Sequence, residues 1–251
     1  MTDRSTEPHA AGPRAIATLV VAVATVVVIV TASLLPFLSP VWVGLEQRRA
    51  EALAWTGFRD AELTTVTNAI MADLLLGPGA FDVALDGEPV LTDRERGHMR
   101  DVRTAFLGLW ALTAAAAAIL VVLWRRATGR PQERSWFWRA VRRGASGLAI
   151  AVVGLGAVAL LAFDVLFEVF HRLLFAGGGY TFDPATERLV QLFPFRFWQE
   201  TAIVVGAVIV LVCGAVTLAA RRAGDAATVR LGPEEPRERA LGATADTGAR
   251  S

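Results

Sequence analysis

Four long stretches of the chain contain no charged residue, and segments rich in charge separate them. The uncharged stretches are 15–38, 104–124, 144–163 and 201–220. Each is about 20 residues or longer, and an α-helix of that length spans the roughly 30 Å hydrocarbon core of a bilayer. The pattern therefore predicts an all-α membrane protein with four transmembrane helices.

The composition agrees with this interpretation. Apolar residues make up 54 % of the chain and charged residues 20 %, whereas soluble domains have about 45–50 % and about 25 %. A soluble globular enzyme, a fibrous protein and a disordered protein are therefore excluded together. The single cysteine, Cys213, falls inside the fourth stretch, so no intrachain disulfide is expected.

The distribution of arginine predicts how the spans are oriented. Segment 125–143, between the second and third spans, contains seven Arg and one Glu. Segment 39–102, between the first and second spans, contains six Arg and eleven acidic residues. The positive-inside rule places the Arg-rich segment in the cytoplasm. Because the spans number four, both termini are predicted to be cytoplasmic as well.

These boundaries divide the chain into three predicted regions. A cytoplasmic N-terminus covers 1–14, and a four-span membrane domain covers 15–220. A cytoplasmic tail over 221–251 is rich in small and charged residues and is predicted to be disordered. Within the membrane domain, the loops over 39–102 and 171–197 face outward and are predicted to form a small extracytoplasmic cap.

The first outer loop contains local signals for secondary structure. Apolar residues at helical spacing predict a helix over 58–76, with Asp60 as its N-cap and Gly77 at its end. Alternating apolar residues around Asp86-Gly87 predict a short β-hairpin after it.

A capping box marks the beginning of the helix that forms the second span. Thr92 and Glu95 have the required spacing. A helix over 93–125 would be about 50 Å long and would extend several turns beyond the membrane. His98 and Asp101 lie three positions apart on those outer turns, so they share one face of the helix.

The outer end of the third span contains a second group of ionisable residues. Asp164, Glu168 and His171 lie at positions i, i+4 and i+7, which is one stripe of one helix. The stripe is predicted to rise from the edge of the hydrocarbon into the headgroups, where the ester carbonyls of lipids lie. Ionisable residues at this depth are costly unless they are paired or face water, which makes them functional candidates.

Two other interpretations of these residues remain open from the sequence. Asp164 and Glu168 could have a structural role and pair with Arg172 or Arg100 of a neighbouring helix.

A metal site is the second alternative. Glu168 and His171 have the Glu-x-x-His spacing of helix-borne metal ligands. Together with His98 and Asp101 they would supply two imidazoles and two carboxylates, which is enough for zinc.

Three short segments resemble the motifs of a known family. They are 97–102 (Gly-His-Met-Arg-Asp-Val), 170–175 (Phe-His-Arg-Leu-Leu-Phe) and the stretch from 182–184 (Phe-Asp-Pro) to 192–197 (Leu-Phe-Pro-Phe-Arg-Phe). Their order on a four-span chain resembles a bacterial integral membrane protein family that includes the lipoprotein intramolecular transacylase. The resemblance covers nearly the whole chain, from the first span to the fourth.

The resemblance implies an acyltransferase of the bacterial plasma membrane. Its characterised members move an acyl chain from the sn-2 position of a diacylglyceryl lipoprotein to the amino group of the N-terminal cysteine. His98 and His171 match the histidines of the family's motifs, and Asp101 matches the carboxylate that follows the first one. A membrane lipid or a lipoprotein is then the expected substrate, with no cofactor, no metal and no nucleic-acid partner.

Specific roles follow from this comparison together with the expected depths. His98 is the predicted general base, oriented by Asp101, and His171 is predicted to orient or donate to the ester carbonyl. The predicted substrate-binding residues are Asp164, Glu168, Arg172 and Asp183.

Two further function classes are weighed against the acyltransferase. A non-catalytic accessory protein would use the outer cap to bind a partner. An ion or proton transporter would use Asp164 and Glu168, but the inner halves of the spans lack the ionisable residues that a relay needs. The enzyme and the accessory protein are distinguished by whether His98 and His171 face each other across an open groove. We expect the two histidines to lie on adjoining helices at one depth, with side chains within about 10 Å of each other.

Overall fold

The computed structural model describes residues 12–175 and 179–229, and it is mainly α-helical. The helices, in chain order, are α1 (Pro13–Leu34), α2 (Pro40–Arg49), α3 (Ala52–Thr56), α4 (Asp60–Leu75), α5 (Asp93–Ala127), α6 (Pro131–Leu174), α7 (Arg188–Leu192) and α8 (Phe195–Val229). A 3-10 turn over Leu35–Leu38 continues α1, and two strands, β1 (Ala84–Leu85) and β2 (Glu88–Pro89), precede α5.

Helices α1, α5, α6 and α8 are long and apolar enough to cross a membrane, so the four predicted spans are confirmed. The helices of the second, third and fourth spans are longer than the uncharged stretches. The Arg-rich segment 125–143 is mostly helical, and only residues 128–130 connect α5 to α6. Pro131 begins α6 at a position where its missing N–H has no cost.

Helix α8 also continues beyond its predicted end at residue 220. It reaches Val229, so the first nine residues of the predicted tail are helical. The residues after Ala220 include several alanines and arginines, which are strong helix formers and favour this extension. The predicted N-terminus over 1–11, and the remainder of the tail over 230–251, lie outside the described residues.

Small residues permit close packing between the spans. Gly144 of α6 lies so near α1 that a Cβ atom there would approach the carbonyl oxygen of Ala22 to 2.5 Å. Thr31 and Thr113 form a hydroxyl–hydroxyl hydrogen bond of 2.8 Å between α1 and α5. Such small-residue contacts and hydroxyl bonds are typical of transmembrane helix pairs. Cys213 is fully buried in the same bundle.

The segments between α1 and α5 form a small cap with its own apolar core. Val66 and Ile70 of α4 are fully buried against Phe81, and Leu192 of α7 joins the same core. The predicted helix over 58–76 is present as α4. Its N-cap is Arg59, however, and the prediction of Asp60 at that position was wrong.

The backbone contacts explain the difference in the N-cap. The Glu62 carboxylate accepts a hydrogen bond of 2.8 Å from the Arg59 backbone N–H, which fixes Arg59 as the flanking residue. Asp60 is then the first helical residue, where its charge still interacts favourably with the helix dipole.

The hairpin and the second capping box are confirmed. Strands β1 and β2 pair antiparallel, and Asp86 and Gly87 between them have φ of 52° and 88°. Positive φ at both turn residues is what a type I′ hairpin requires. At the beginning of α5, the Glu95 carboxylate accepts a 2.7 Å hydrogen bond from the Thr92 N–H, and the Thr92 hydroxyl accepts a 3.3 Å bond from the Glu95 N–H.

Helix α6 contains one break in its regular geometry. Ala162 has φ −149° and ψ 51°, so the helix bends immediately before the segment that carries Asp164, Glu168 and His171. The last part of α6 therefore runs in a different direction from the rest of the helix. It ends at Leu174, beside the first turns of α5.

Candidate active site

His98 and His171 meet at the end of the bundle that carries the cap. Their ring centroids lie 6.1 Å apart, and the planes of the rings differ by 24°. The predicted proximity within about 10 Å is therefore confirmed. His171 is buried and His98 is half-buried. His98 and His171 are 73 positions apart in the sequence. The break at Ala162 lies nine residues before His171 in α6.

The backbone of α6 orients the His171 ring. Its Nδ1 lies 2.8 Å from the carbonyl oxygen of Phe167. A carbonyl oxygen only accepts, so Nδ1 must donate the proton of this bond. In a neutral imidazole the lone pair is then on Nε2, which makes that atom the acceptor.

His98 is oriented differently from the sequence-based expectation. In the described part of the chain its ring nitrogens make no hydrogen bond, and the expected bond with Asp101 is not formed. Asp101 shares the helix face, but its short side chain is exposed to solvent. The His98 ring is held by aromatic contacts instead, with centroid distances of 5.0 Å to Phe175 and 5.4 Å to Phe182.

Aromatic rings line the site around both histidines. Phe167 lies 4.2 Å and Tyr180 lies 5.3 Å from the His171 ring. Phe175 contacts both imidazoles, at 5.0 Å from His98 and 5.7 Å from His171. Such a lining shields His171 from water and offers an apolar surface for a lipid chain.

Two of the predicted substrate-binding residues lie beside His171. Arg172 donates a 2.8 Å hydrogen bond to the Glu168 carboxylate. The same carboxylate accepts a 3.2 Å hydrogen bond from the Tyr180 hydroxyl. The Glu168 carboxylate therefore holds Tyr180 against the His171 ring. Its ion pair with Arg172 also gives it the structural role that the sequence had left open.

The other two predicted binding residues have different surroundings. Asp164 is exposed on the part of α6 that follows the break at Ala162. The Asp183 carboxylate accepts a 2.9 Å hydrogen bond from the backbone N–H of Ala185, so it stabilises a local turn.

The alternative of a metal site is not supported by the geometry of its four residues. Within residues 12–175 and 179–229, no group of three His, Cys, Asp or Glu side chains has the geometry to hold a metal ion. His98, Asp101, Glu168 and His171 therefore do not form the zinc site that their spacing allowed.

An ion pair that the sequence did not predict supports the wall of the site. Arg94 donates hydrogen bonds of 2.5 Å to both carboxylate oxygens of Glu187, and a bond of 2.9 Å to the carbonyl of Thr181. Its guanidinium lies 4.8 Å above the ring of Phe182, which in turn contacts His98. We refer to Arg94, Glu187 and Phe182 as the clamp.

A buried carboxylate fastens the same segment one residue further along α5. Glu95 is fully buried, and it accepts a 2.6 Å hydrogen bond from the backbone N–H of Leu189. No sequence signal could identify these contacts, because Arg94 and Glu187 are 93 positions apart. Together they hold the segment before α7 against the first turns of α5.

The model of the family described as lipoprotein intramolecular transacylase Lit matches residues 16–198, which include both histidines and the aromatic residues around them. The chain belongs to the Lit family. A family of transacylases matches the acyltransferase prediction and not the alternative of a non-catalytic accessory protein.

Solved structures of a Lit family member share this fold. The in meso structure of the membrane-integral lipoprotein intramolecular transacylase Lit from Bacillus cereus has 17 % sequence identity and a TM-score of 0.68, and the match covers 86 % of this chain and 96 % of that chain. A variant of the same protein with histidine replaced by alanine gives 18 %, 0.69, 86 % and 96 %. No curated protein gives a significant match by sequence. The chain is a multi-pass membrane protein with the Lit fold.

Proposed function

We propose that the protein is a membrane transacylase that acts at the outer leaflet on a diacylglyceryl lipoprotein. The acyl chain at the sn-2 position would move to the α-amino group of the N-terminal cysteine of the same molecule. The observation that carries this proposal is the pair of imidazoles, 6.1 Å apart between two membrane helices and enclosed by aromatic rings.

The reaction starts from an α-ammonium group, which must first release one proton to solvent so that the neutral nitrogen can attack the carbonyl carbon of the ester. As the new C–N bond forms, the nitrogen gives a second proton to the general base. The C–O bond to the sn-2 oxygen breaks, and that oxygen takes the proton from the base, which leaves an amide on the cysteine and a hydroxyl on the glycerol. Because amine and ester belong to one molecule, positioning supplies much of the rate.

His171 is the better candidate for the general base. Its Nδ1–H is committed to the Phe167 carbonyl, so Nε2 of the neutral ring can only accept. This assignment reverses the one made from the sequence, which gave the base role to His98. The assignment of the base to His98 used its position on the outermost turns of the second span together with orientation by Asp101, and the described residues contain no hydrogen bond between His98 and Asp101.

His98 is then suited to donate a hydrogen bond to the ester oxygen. Among the described residues its ring nitrogens have no hydrogen-bond partner, so either tautomer is available to the substrate. Negative charge develops on the carbonyl oxygen during the attack, and a donor aimed at it stabilises the transition state. The attacked ester would lie between the two rings, with its acyl chain along Phe175 and Phe182.

The orientation in the membrane is part of the proposal. The acidic segment 39–102 and the cap would face outward, and the Arg-rich segment 125–143 would face the cytoplasm. Both termini would then be cytoplasmic. Mature lipoproteins present their diacylglyceryl group at a membrane surface, so a site at the cap end of the bundle is accessible to them.

Expression in a bacterial host that lacks its own transacylase tests the proposed function. Mass spectrometry of lipoprotein N-termini should detect an acylated cysteine amine and a glyceryl group with one acyl chain only when the protein is present. Unchanged lipoproteins, with the protein correctly inserted in the membrane, would contradict the proposal.

A further inference from the structure

A cavity lies at the end of the bundle opposite the two histidines. It has a volume of about 310 Å³ and is bounded by the beginning of α1, the end of α5 and the beginning of α6. Nothing in the proposed transacylase reaction uses it.

The rim of this cavity is strongly basic. Arg14, Arg126 and Arg130 line it, with Glu133 as the acidic residue among the lining side chains. Arg14 donates a 3.0 Å hydrogen bond to Glu133, so that ion pair is internally neutral. Arg126 and Arg130 form no ion pair within residues 12–175 and 179–229. In the part of the chain that the structure describes, the rim therefore has two guanidinium groups without a carboxylate partner.

The inner wall of the cavity is apolar. Leu123 and Trp136 line it, and they adjoin the uncharged parts of the spans. Trp136 is fixed, because its indole N–H donates a 2.9 Å hydrogen bond to the Thr18 hydroxyl across α1 and α6. A tryptophan at this level is typical of the membrane interface.

The two halves of the lining match the two halves of a phospholipid. A phosphate would contact the guanidinium groups, and the glycerol and first methylenes would lie along Leu123 and Trp136. A soluble anion would use the rim but gain nothing from the apolar wall. Helices α1 and α6 also begin here without a capping side chain, which adds positive field to the rim.

We propose that this cavity binds the phosphate headgroup of an anionic phospholipid in the leaflet opposite the histidine pair. Basic pockets between transmembrane helices commonly hold anionic headgroups, and each cation near an anionic lipid contributes about fivefold in affinity. Arg126 and Arg130 together should therefore raise the affinity for an anionic phospholipid about 30-fold.

Native mass spectrometry of the purified full-length protein tests this site. The protein in a neutral detergent is titrated with phosphatidylglycerol, and in parallel with phosphatidylcholine. The test variant is Arg126→Gln with Arg130→Gln. The matched control is Arg221→Gln with Arg222→Gln, which removes the same charge from exposed positions of α8 outside the cavity. Size-exclusion chromatography checks that each variant is folded.

We expect the affinity for the first phosphatidylglycerol to fall about 30-fold in the test variant and less than about threefold in the control. A third variant, Ala17→Phe, fills the cavity without a change of charge and should weaken binding as well. Equal losses in the two double variants, or equal binding of phosphatidylcholine, would overturn the proposal. Displacement of the lipid by millimolar inorganic phosphate would show a free-anion site and would overturn it too.

Discussion

Replacement of the two histidines by glutamine distinguishes their proposed roles. Glutamine has an amide that donates hydrogen bonds but cannot accept and carry a proton as imidazole does. If His171 is the base, His171→Gln should lower the rate by about 10²–10⁴-fold, which is the usual value of general-base catalysis.

The same substitution at His98 should cost less. The amide of His98→Gln can still donate to the ester oxygen across the space that the 6.1 Å ring separation provides. Complete loss of one such donor costs about 10²–10³-fold, and a retained but displaced donor should reduce that to about tenfold. His98→Leu, which has no donor, should show the full loss.

The assay is the initial rate of acyl transfer to the cysteine amine in membranes that contain equal amounts of each variant. His9→Gln is the matched control, since it replaces the third histidine of the chain in the N-terminal segment. A His98→Gln variant that loses at least tenfold more activity than His171→Gln would refute the assignment of the base to His171. Full activity in both variants would show that neither histidine takes part in the reaction.

Three other predictions address the clamp, the topology and a buried acid. Arg94→Gln should lower the rate about tenfold while the protein stays folded, because Phe182 loses its support beside His98; unchanged rates would mean that the clamp only stabilises the cap. With the native cysteine replaced, an impermeant thiol reagent added outside should label a cysteine at 87 and not at 130, and the reverse would invert the proposed orientation. Glu46 of α2 is buried, and burial, followed by a hydrogen bond with Glu200, raises the pKa of its carboxyl, so the free energy of unfolding should fall as pH rises through that pKa. The melting temperature of Glu46→Gln should therefore change less between about pH 4 and 8 than that of the unaltered protein, and equal changes in both would contradict this reasoning.

Features that depend on residues close in sequence could be predicted. The four uncharged stretches fixed the number of spans, because helix length and the thickness of a bilayer leave few alternatives. The Asp86-Gly87 turn and the Thr92/Glu95 capping box are contained within a few residues, and both are present. Depth along a helix is also simple to count, so the level shared by the two histidines followed from the sequence.

Features that depend on side-chain geometry could not be predicted in the same way. Helix periodicity placed Asp101 on the face of His98, but it could not tell whether the carboxylate would reach the ring. The N-cap of α4 depended on which backbone N–H would donate a hydrogen bond to the Glu62 carboxylate. The clamp joins Arg94 to a glutamate 93 positions away, and a single sequence contains no signal for such a pair.

The most direct test of the central claim follows the acyl chain within one molecule. The purified protein in nanodiscs is given an equal mixture of two synthetic diacylglyceryl lipopeptides, one with a deuterated sn-2 chain and a heavy peptide, and one with neither label. Tandem mass spectrometry should find the deuterated chain only on the amine of the heavy peptide. Deuterated chains on the light peptide would demonstrate transfer between molecules, and an unmodified amine in both peptides would contradict the transacylase assignment.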